Sequence, residues 1–391
     1  MKNARLACLA LLVAPFLAGC SGFWDKPVTP TPPTTLSSGF FYVLNLATSQ
    51  IAGFSIKTGV VTAVPGSPVT LSAAPIAITV APNNAFLYVS DLTGLFLYSV
   101  STSTGQLTIG NNQQPISADQ AASMQVDSTN TWLVESVTGT ASLFAIHINP
   151  STGTVVSSIP ASVQLSNSPV KIQQITISPD NTFAYVAMGA AGTAVVAFNA
   201  SNTNNPFGAV TIIPAKNAAG GAMSVAVDPI TTTTTKPRLL YVGETAVTTG
   251  NNTGALRVFN YGTLQEITGS PFGINGLAPS AILPFSNGNF VYVLNRQVSG
   301  SSTGLIAGFS IATSNNALTL TPLASTFAAG TNPQSMVEDN TGNFILAVNF
   351  GGNPDLIGYT INSTNAGNLD KVISSATGTA PVSASAIAAL H

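Results

Sequence analysis

The residues that could do chemistry in this chain fall largely into one column. Three positions after Tyr42, Tyr88, Val134, Tyr185, Tyr241, Tyr292 and Leu346 stand Asn45, Asp91, Val137, Met188, Glu244, Asn295 and Asn349, and Arg296 follows Asn295 directly. Asp91 and Glu244 could accept a proton, Arg296 could steady a developing negative charge, and the three asparagines could hydrogen-bond a ligand. The same residue types have a plainer use, because Asn and Asp cap turns through side-chain to backbone bonds. Glu244 and Arg296 could also simply pair with each other. Histidine, the usual acid-base residue near neutral pH, occurs twice. His147 alternates with Phe144, Ile146 and Ile148 in "LFAIHINP" and reads as a strand-surface or hydrogen-bonded residue. His391, the final residue, is expected to fray.

Composition narrows the classes further. Lys and Arg number 11 against 13 Asp and Glu, charged residues make up 6% of the chain, and the net charge is −2. Nucleic-acid binding is excluded as an expectation, since it needs clustered cations to displace counterions from phosphates. Cys8 and Cys20 are the two cysteines; both fall in the first twenty residues, so neither a disulfide nor a thiolate metal site is expected beyond them. No clustered Asp, Glu and His set has ligand spacing, and no metal or cofactor is expected.

The elements that must carry the column are short strands. "PIAITVAPNNAFLYVSDLTGLFLYSVSTSTGQLT" contains three alternating apolar runs separated by turn residues, and the same order recurs along the chain. The column recurs at intervals of 46, 46, 51, 56, 51 and 54 residues, which suits four strands per unit. Seven such units predict an all-β fold, a seven-bladed β-propeller of four-stranded antiparallel blades. The first unit, "FFYVLN…IAGFSI", lacks the strand that precedes "FLYV" elsewhere, while the chain closes on "PVSASAIAAL", a strand without successors headed by Pro381. The terminal strand is therefore expected to complete the first blade and close the ring.

"FFYVLN", "FLYVSD", "FVYVLN", "ISPDNTFAYV" and "STGQLT" resemble the repeats of the lactonase-like seven-bladed propellers, the family with YVTN-type repeats that includes 6-phosphogluconolactonases and a muconate lactonising enzyme. The resemblance covers about residues 39–391 and implies a channel-face site in which water attacks a lactone carbonyl while a cation steadies the oxyanion. On that resemblance Glu244, in "LLYVGE", stands where the family has a glutamate, Asp91 where it has an aspartate, and Arg296 is the available cation. These three are the candidate catalytic residues, and Asn45, Asn295 and Asn349 the candidate ligand-binding ones. Met223 and Ser224 occupy the places of the family's Arg-His pair. Whether the chain is an enzyme is thus left open between a lactone hydrolase and a non-catalytic surface module that binds protein or polysaccharide.

The N-terminus has Lys2 and Arg5 ahead of an apolar run, Leu6 to Ala18, too short to span a bilayer. "LAGC", Leu17 to Cys20, resembles the lipobox of bacterial lipoproteins. The implied organisation is a signal peptide over 1–19, a Pro/Thr/Ser-rich tether over 20–38 and a propeller over 39–391, anchored through an acylated Cys20. An exported monomer held in the cell envelope is expected, at the outer membrane in a Gram-negative host. Replacing Cys20 with Ser should move the protein from the membrane to the soluble fraction; unchanged membrane retention would reject the anchor.

Overall fold

The computed structural model describes residues 38–391, apart from 158, 230–237, 249, 251, 299–300, 302, 315–316, 353, 363 and 376–382. The expected signal peptide, Cys20, the tether up to residue 37 and Pro381 lie outside the described residues. The remaining chain forms seven antiparallel sheets, each a blade. In blades 2 to 7 the inner strands are Pro75–Val80, Ala121–Val126, Gln174–Ile177, Gly221–Val227, Pro279–Pro284 and Pro333–Glu338. Each inner strand hairpins to a second strand, and two further strands follow outward; blades 1 and 6 each carry one additional short strand.

The second strands are buried almost throughout, Gly39–Asn45 and Phe86–Asp91 along their whole length. Their residues alternate between the two neighbours: Tyr42 and Leu44 pack toward blade 2, Phe41 and Val43 toward blade 7. A strand buried on both faces must read as a nearly continuous apolar run, which explains "FFYVLN" and "FVYVLN". The hydrophobic core is accordingly divided into clusters between blades, one for each pair of neighbours.

Three of the five column tyrosines supply a polar fastening inside this apolar packing, while the Tyr185 and Tyr241 hydroxyls are buried without a partner among the described residues. The hydroxyl of Tyr42 donates to the Gly105 carbonyl at 2.7 Å, Tyr88 to Gly153 at 2.8 Å and Tyr292 to Gly367 at 2.8 Å, in each case in the following blade. Gly153 has φ +70, and a Cβ there would meet Phe86 at 2.8 Å, so the "STG" turn needs glycine for both its backbone and its close approach. In blade 3 the column residue is Val134, and Trp132 takes over, donating from Nε1 to the Ala200 carbonyl at 3.1 Å.

Ring closure occurs as the sequence implied. The terminal strand Ala384–Ala389 pairs antiparallel with Gly39–Asn45, with Phe41 opposite Ala389 and Asn45 opposite Ala384, and becomes the inner strand of blade 1. His391, expected to fray, is docked instead: its N–H donates to Asn84 Oδ1 at 2.7 Å, while Asn84 Nδ2 donates to its carbonyl at 2.9 Å. This reciprocal pair ties the last residue to blade 2.

Deleting residues 380–391 would orphan several buried backbone groups of blade 1, each costing about 1–3 kcal/mol, against a total stability of about 5–15 kcal/mol. Loss of soluble folded protein is the expected outcome, and a thermal midpoint close to that of the intact protein would contradict it.

Candidate functional site

The inner strands converge on an axial cavity of about 450 Å³. The free edge of an inner strand has no strand beyond it in its own blade, so its amides need other partners. Inward serines and glutamines provide them: Ile175 N–H donates to Ser123 Oγ at 3.1 Å, Ile177 N–H to Gln125 Oε1 at 2.7 Å and Val225 N–H to Gln174 Oε1 at 3.0 Å. The cavity wall is consequently polar through amides and hydroxyls and sparse in charge. Among the described residues of the wall, Arg296 and His391 are the ionisable ones.

These two stand at opposite mouths. Arg296 follows Asn295, which pairs with Pro279 at the start of an inner strand. His391 lies past the end of the terminal strand, with Nε2 3.3 Å from the carbonyl of Val80, the last residue of another inner strand. The His391 residue keeps solvent access, yet crowding of its ring against the wall lowers its pKa from the ordinary value and favours the neutral imidazole.

Arg296 is the one sequence candidate in the cavity wall. It is half-buried, its Nε is buried without a partner, and desolvation lowers its pKa. The other described arginines are matched by acids: Arg238 binds Asp180 at 2.7 Å, and Arg257 binds Glu244 at 2.8 Å and Glu266 at 3.0 Å.

Glu244 therefore pairs with Arg257 rather than Arg296. It is fully buried, and its second oxygen accepts the Lys216 N–H at 2.9 Å, fastening the loop whose Pro214 carbonyl also accepts from Arg257 at 2.9 Å. Asp91 caps a turn, accepting from Thr93 N–H at 2.7 Å, Thr93 Oγ1 at 2.6 Å and Ser72 Oγ at 3.2 Å. Asn45, Asn295 and Asn349 are buried behind the inner strands. Asn295 Nδ2 donates to the Val293 carbonyl at 3.3 Å, and Asn349 Nδ2 to that of Pro354 at 3.5 Å. The physical reason is common to all five: the column sits on second strands, one strand removed from the axis. Arg296, one residue further on, starts the turn and is long enough to reach over the rim.

Met223 lines the cavity, whereas Ser224 points away from it and packs against Gly243. His147 stacks on Trp132 with ring centroids 4.7 Å apart and is outside the cavity wall. Among the described residues no group of three or more His, Cys, Asp or Glu side chains is arranged to hold a metal ion.

Sequence reasoning passed over Gln125 and Gln174, whose signal was a polar residue on the inward parity of an apolar strand. It also passed over Glu135, an acid inside the apolar second strand "WLVESV". Glu135 is fully buried with neither oxygen hydrogen-bonded, and burial first, the Asp119 carboxylate second, push its pKa up to about 8.

Residues 244–385 match the family model for the lactonase seven-bladed β-propeller. No match to a curated protein sequence was found. Among solved structures, a candidate 6-phosphogluconolactonase from Bacteroides uniformis aligns with a TM-score of 0.69 at 15% identity, covering 90% of this chain and 99% of that one. The periplasmic gluconolactonase of Pseudomonas aeruginosa aligns at 0.66 and 17% identity, covering 91% and 99%. At such identities the likeness is one of fold. The chain thus has the architecture of the lactonase-type propellers, and its second half carries that family's sequence signature.

The buried carboxyl makes a pH prediction. Between an ordinary value of 4.5 and about 8, the unfolded chain has released the Glu135 proton while the native protein retains it, so stability falls as pH rises through that window. Urea midpoints at about pH 5 and about pH 8 should drop further for the wild type than for Glu135→Gln; equal drops would contradict the assignment.

Proposed function

We propose that this protein is an exported, lipid-anchored lactonase-like propeller that binds a small ligand at the channel mouth through Arg296. The observation that carries the reading is the guanidinium itself. It is desolvated at a cavity wall, with one nitrogen lacking a partner, in a chain whose other described arginines are matched by carboxylates. Such a charge costs stability unless something else uses it.

Hydrolysis of a sugar-type lactone is the reaction the family resemblance implies. It needs a base beside the carbonyl and a cation to steady the oxyanion. Arg296 suits the second role. His391, at the other mouth, is separated from it by the length of an inner strand, roughly 15–20 Å at about 3.3 Å per residue, too far to act on the same carbonyl. Glu244 and Asp91 are bonded elsewhere. Ligand binding without turnover is the reading that this geometry favours.

A thermal-shift screen of small acids, sugars and lactones against the purified full-length protein tests it, because a ligand that binds only the native state raises the midpoint. Hits in the wild type that vanish in Arg296→Gln are expected, with lactone opening no faster than in buffer. A screen without Arg296-dependent hits would reject the site, and Arg296-dependent lactone opening would replace binding by catalysis.

A further inference from the structure

The inner strands carry the same irregularity in six of the seven blades. In blade 1, Ala384 and Ala386 pair with Asn45 and Leu44, which makes Ser385 the extra residue of a β-bulge. The same skip makes extra residues of Ile76, Ala122, Met223, Ser280 and Gln334 at the head of their inner strands. A bulge re-aims the side chain that it inserts. All six residues line the axial cavity, at the strand ends that form the mouth where Arg296 stands.

Their chemistry is uneven. Adjoining blades 6, 7 and 1 contribute Ser280, Gln334 and Ser385, whereas blades 2, 3 and 5 contribute Ile76, Ala122 and Met223. Blade 6 also carries Arg296, and it touches blade 7 here: Ser280 Oγ donates to the carbonyl of Pro333, the residue before Gln334, at 3.1 Å. The hydrogens of this polar sector are already committed. The Ser280 hydroxyl has the Leu294 carbonyl at 3.3 Å as its other acceptor, and Ser385 Oγ donates to the Leu44 carbonyl at 3.2 Å. Gln334 Nε2 donates to the Asn332 carbonyl at 3.0 Å and to Asn332 Oδ1 at 2.9 Å. What the sector offers a ligand is therefore oxygen, above all Gln334 Oε1, whose orientation those two bonds hold. Arg296 offers the converse, donors alone, with no acid against it among the described residues.

We propose that this sector takes a 2-hydroxy monocarboxylate, its carboxylate on Arg296 and its hydroxyl donating to Gln334 Oε1 in the adjoining blade. The proposal rests on the reading of the Arg296 mouth as a ligand site and adds the ligand's class and the residue that selects it. The planar guanidinium fork matches a carboxylate in two parallel hydrogen bonds, and one fixed charge balances a monoanion. A plain carboxylate would leave Gln334 Oε1 without a donor, and a neutral sugar or lactone would leave the guanidinium without a counter-charge. An amino acid would set its ammonium against a wall with no carboxylate among the described residues.

Calorimetric titration of the full-length protein with 2-hydroxyisobutyrate, isobutyrate, 2-aminoisobutyrate and 2-hydroxyisobutyramide separates the two contacts, because the four compounds are achiral and each differs from the first in one group. The hydroxy acid should bind at least ~5-fold more tightly than isobutyrate, the share of one hydrogen bond, and at least ~10-fold more tightly than the amide, the share of the charge. Arg296→Gln should weaken both acids at least ~10-fold. Gln334→Met, with an unchanged thermal midpoint, should bring the hydroxy acid down to the affinity of isobutyrate. Should that variant unfold, Gln334→Glu keeps the side chain's length and sets a carboxylate near Arg296, and it should weaken both acids together. A hydroxy acid bound no better than isobutyrate, a tighter 2-aminoisobutyrate, or no heat from the hydroxy acid up to about 10 mM would each overturn the proposal. Equal, Arg296-dependent binding of the two acids would overturn the hydroxy-acid class while sustaining the ligand site; binding indifferent to Arg296→Gln would overturn both.

Discussion

The contact between neighbouring blades is the constraint on which the rest of this structure depends. No blade can bury its own faces; each second strand is apolar on both sides because two neighbours cover it. Within that contact the tyrosine hydroxyl reaches across to a glycine carbonyl in the next blade, as Tyr42 does to Gly105 and Tyr292 to Gly367. Where it forms, the fastening spares a buried hydroxyl the cost of going unpartnered; the Tyr185 and Tyr241 hydroxyls lack such a partner among the described residues, and apolar packing alone holds those blades at this position. The glycine is part of the same contact, since a side chain there would strike the preceding blade's aromatic residue.

Closing the ring extends that logic to the chain's two ends. The terminal strand Ala384–Ala389 supplies the inner strand that blade 1 lacks, and the pair between Asn84 and His391 fastens the last residue to blade 2. Inner strands, facing one another across the axis, satisfy their free edges by side chains such as Gln125 and Gln174. The cavity wall is therefore built of amides and hydroxyls for a structural reason before any ligand is considered.

Charge is used sparingly and almost always locally. Asp91, Asp127 and Asp339 close turns by accepting backbone N–H groups. Asp180 clasps Arg238 and Tyr261, and Glu244 with Glu266 holds Arg257. Against that pattern Arg296 stands out, a cation at the cavity with no acid to match it among the described residues. Glu135 is the opposite case, an acid buried without a cation, and its proton is retained to avoid a naked charge.

Much of the architecture was legible in the sequence: the interval of the tyrosine column, the "STG" turns and the complementary first and last units determine seven four-stranded blades and the closing strand. They do so because each blade repeats one pattern of burial, and a pattern of burial is written in residue type and spacing. The candidate site was legible only in part. The column falls at the ends of second strands, with Arg296 one residue beyond, but spacing alone cannot distinguish a second strand from the wall of the channel. Only the tertiary structure placed Glu244 against Arg257, turned Asp91 to its own hairpin, docked His391 and brought Arg296 into the cavity wall. Those outcomes depend on which residues distant in the chain come within hydrogen-bonding range, and that is decided by the packing of blade on blade rather than by the order of residues within any one of them.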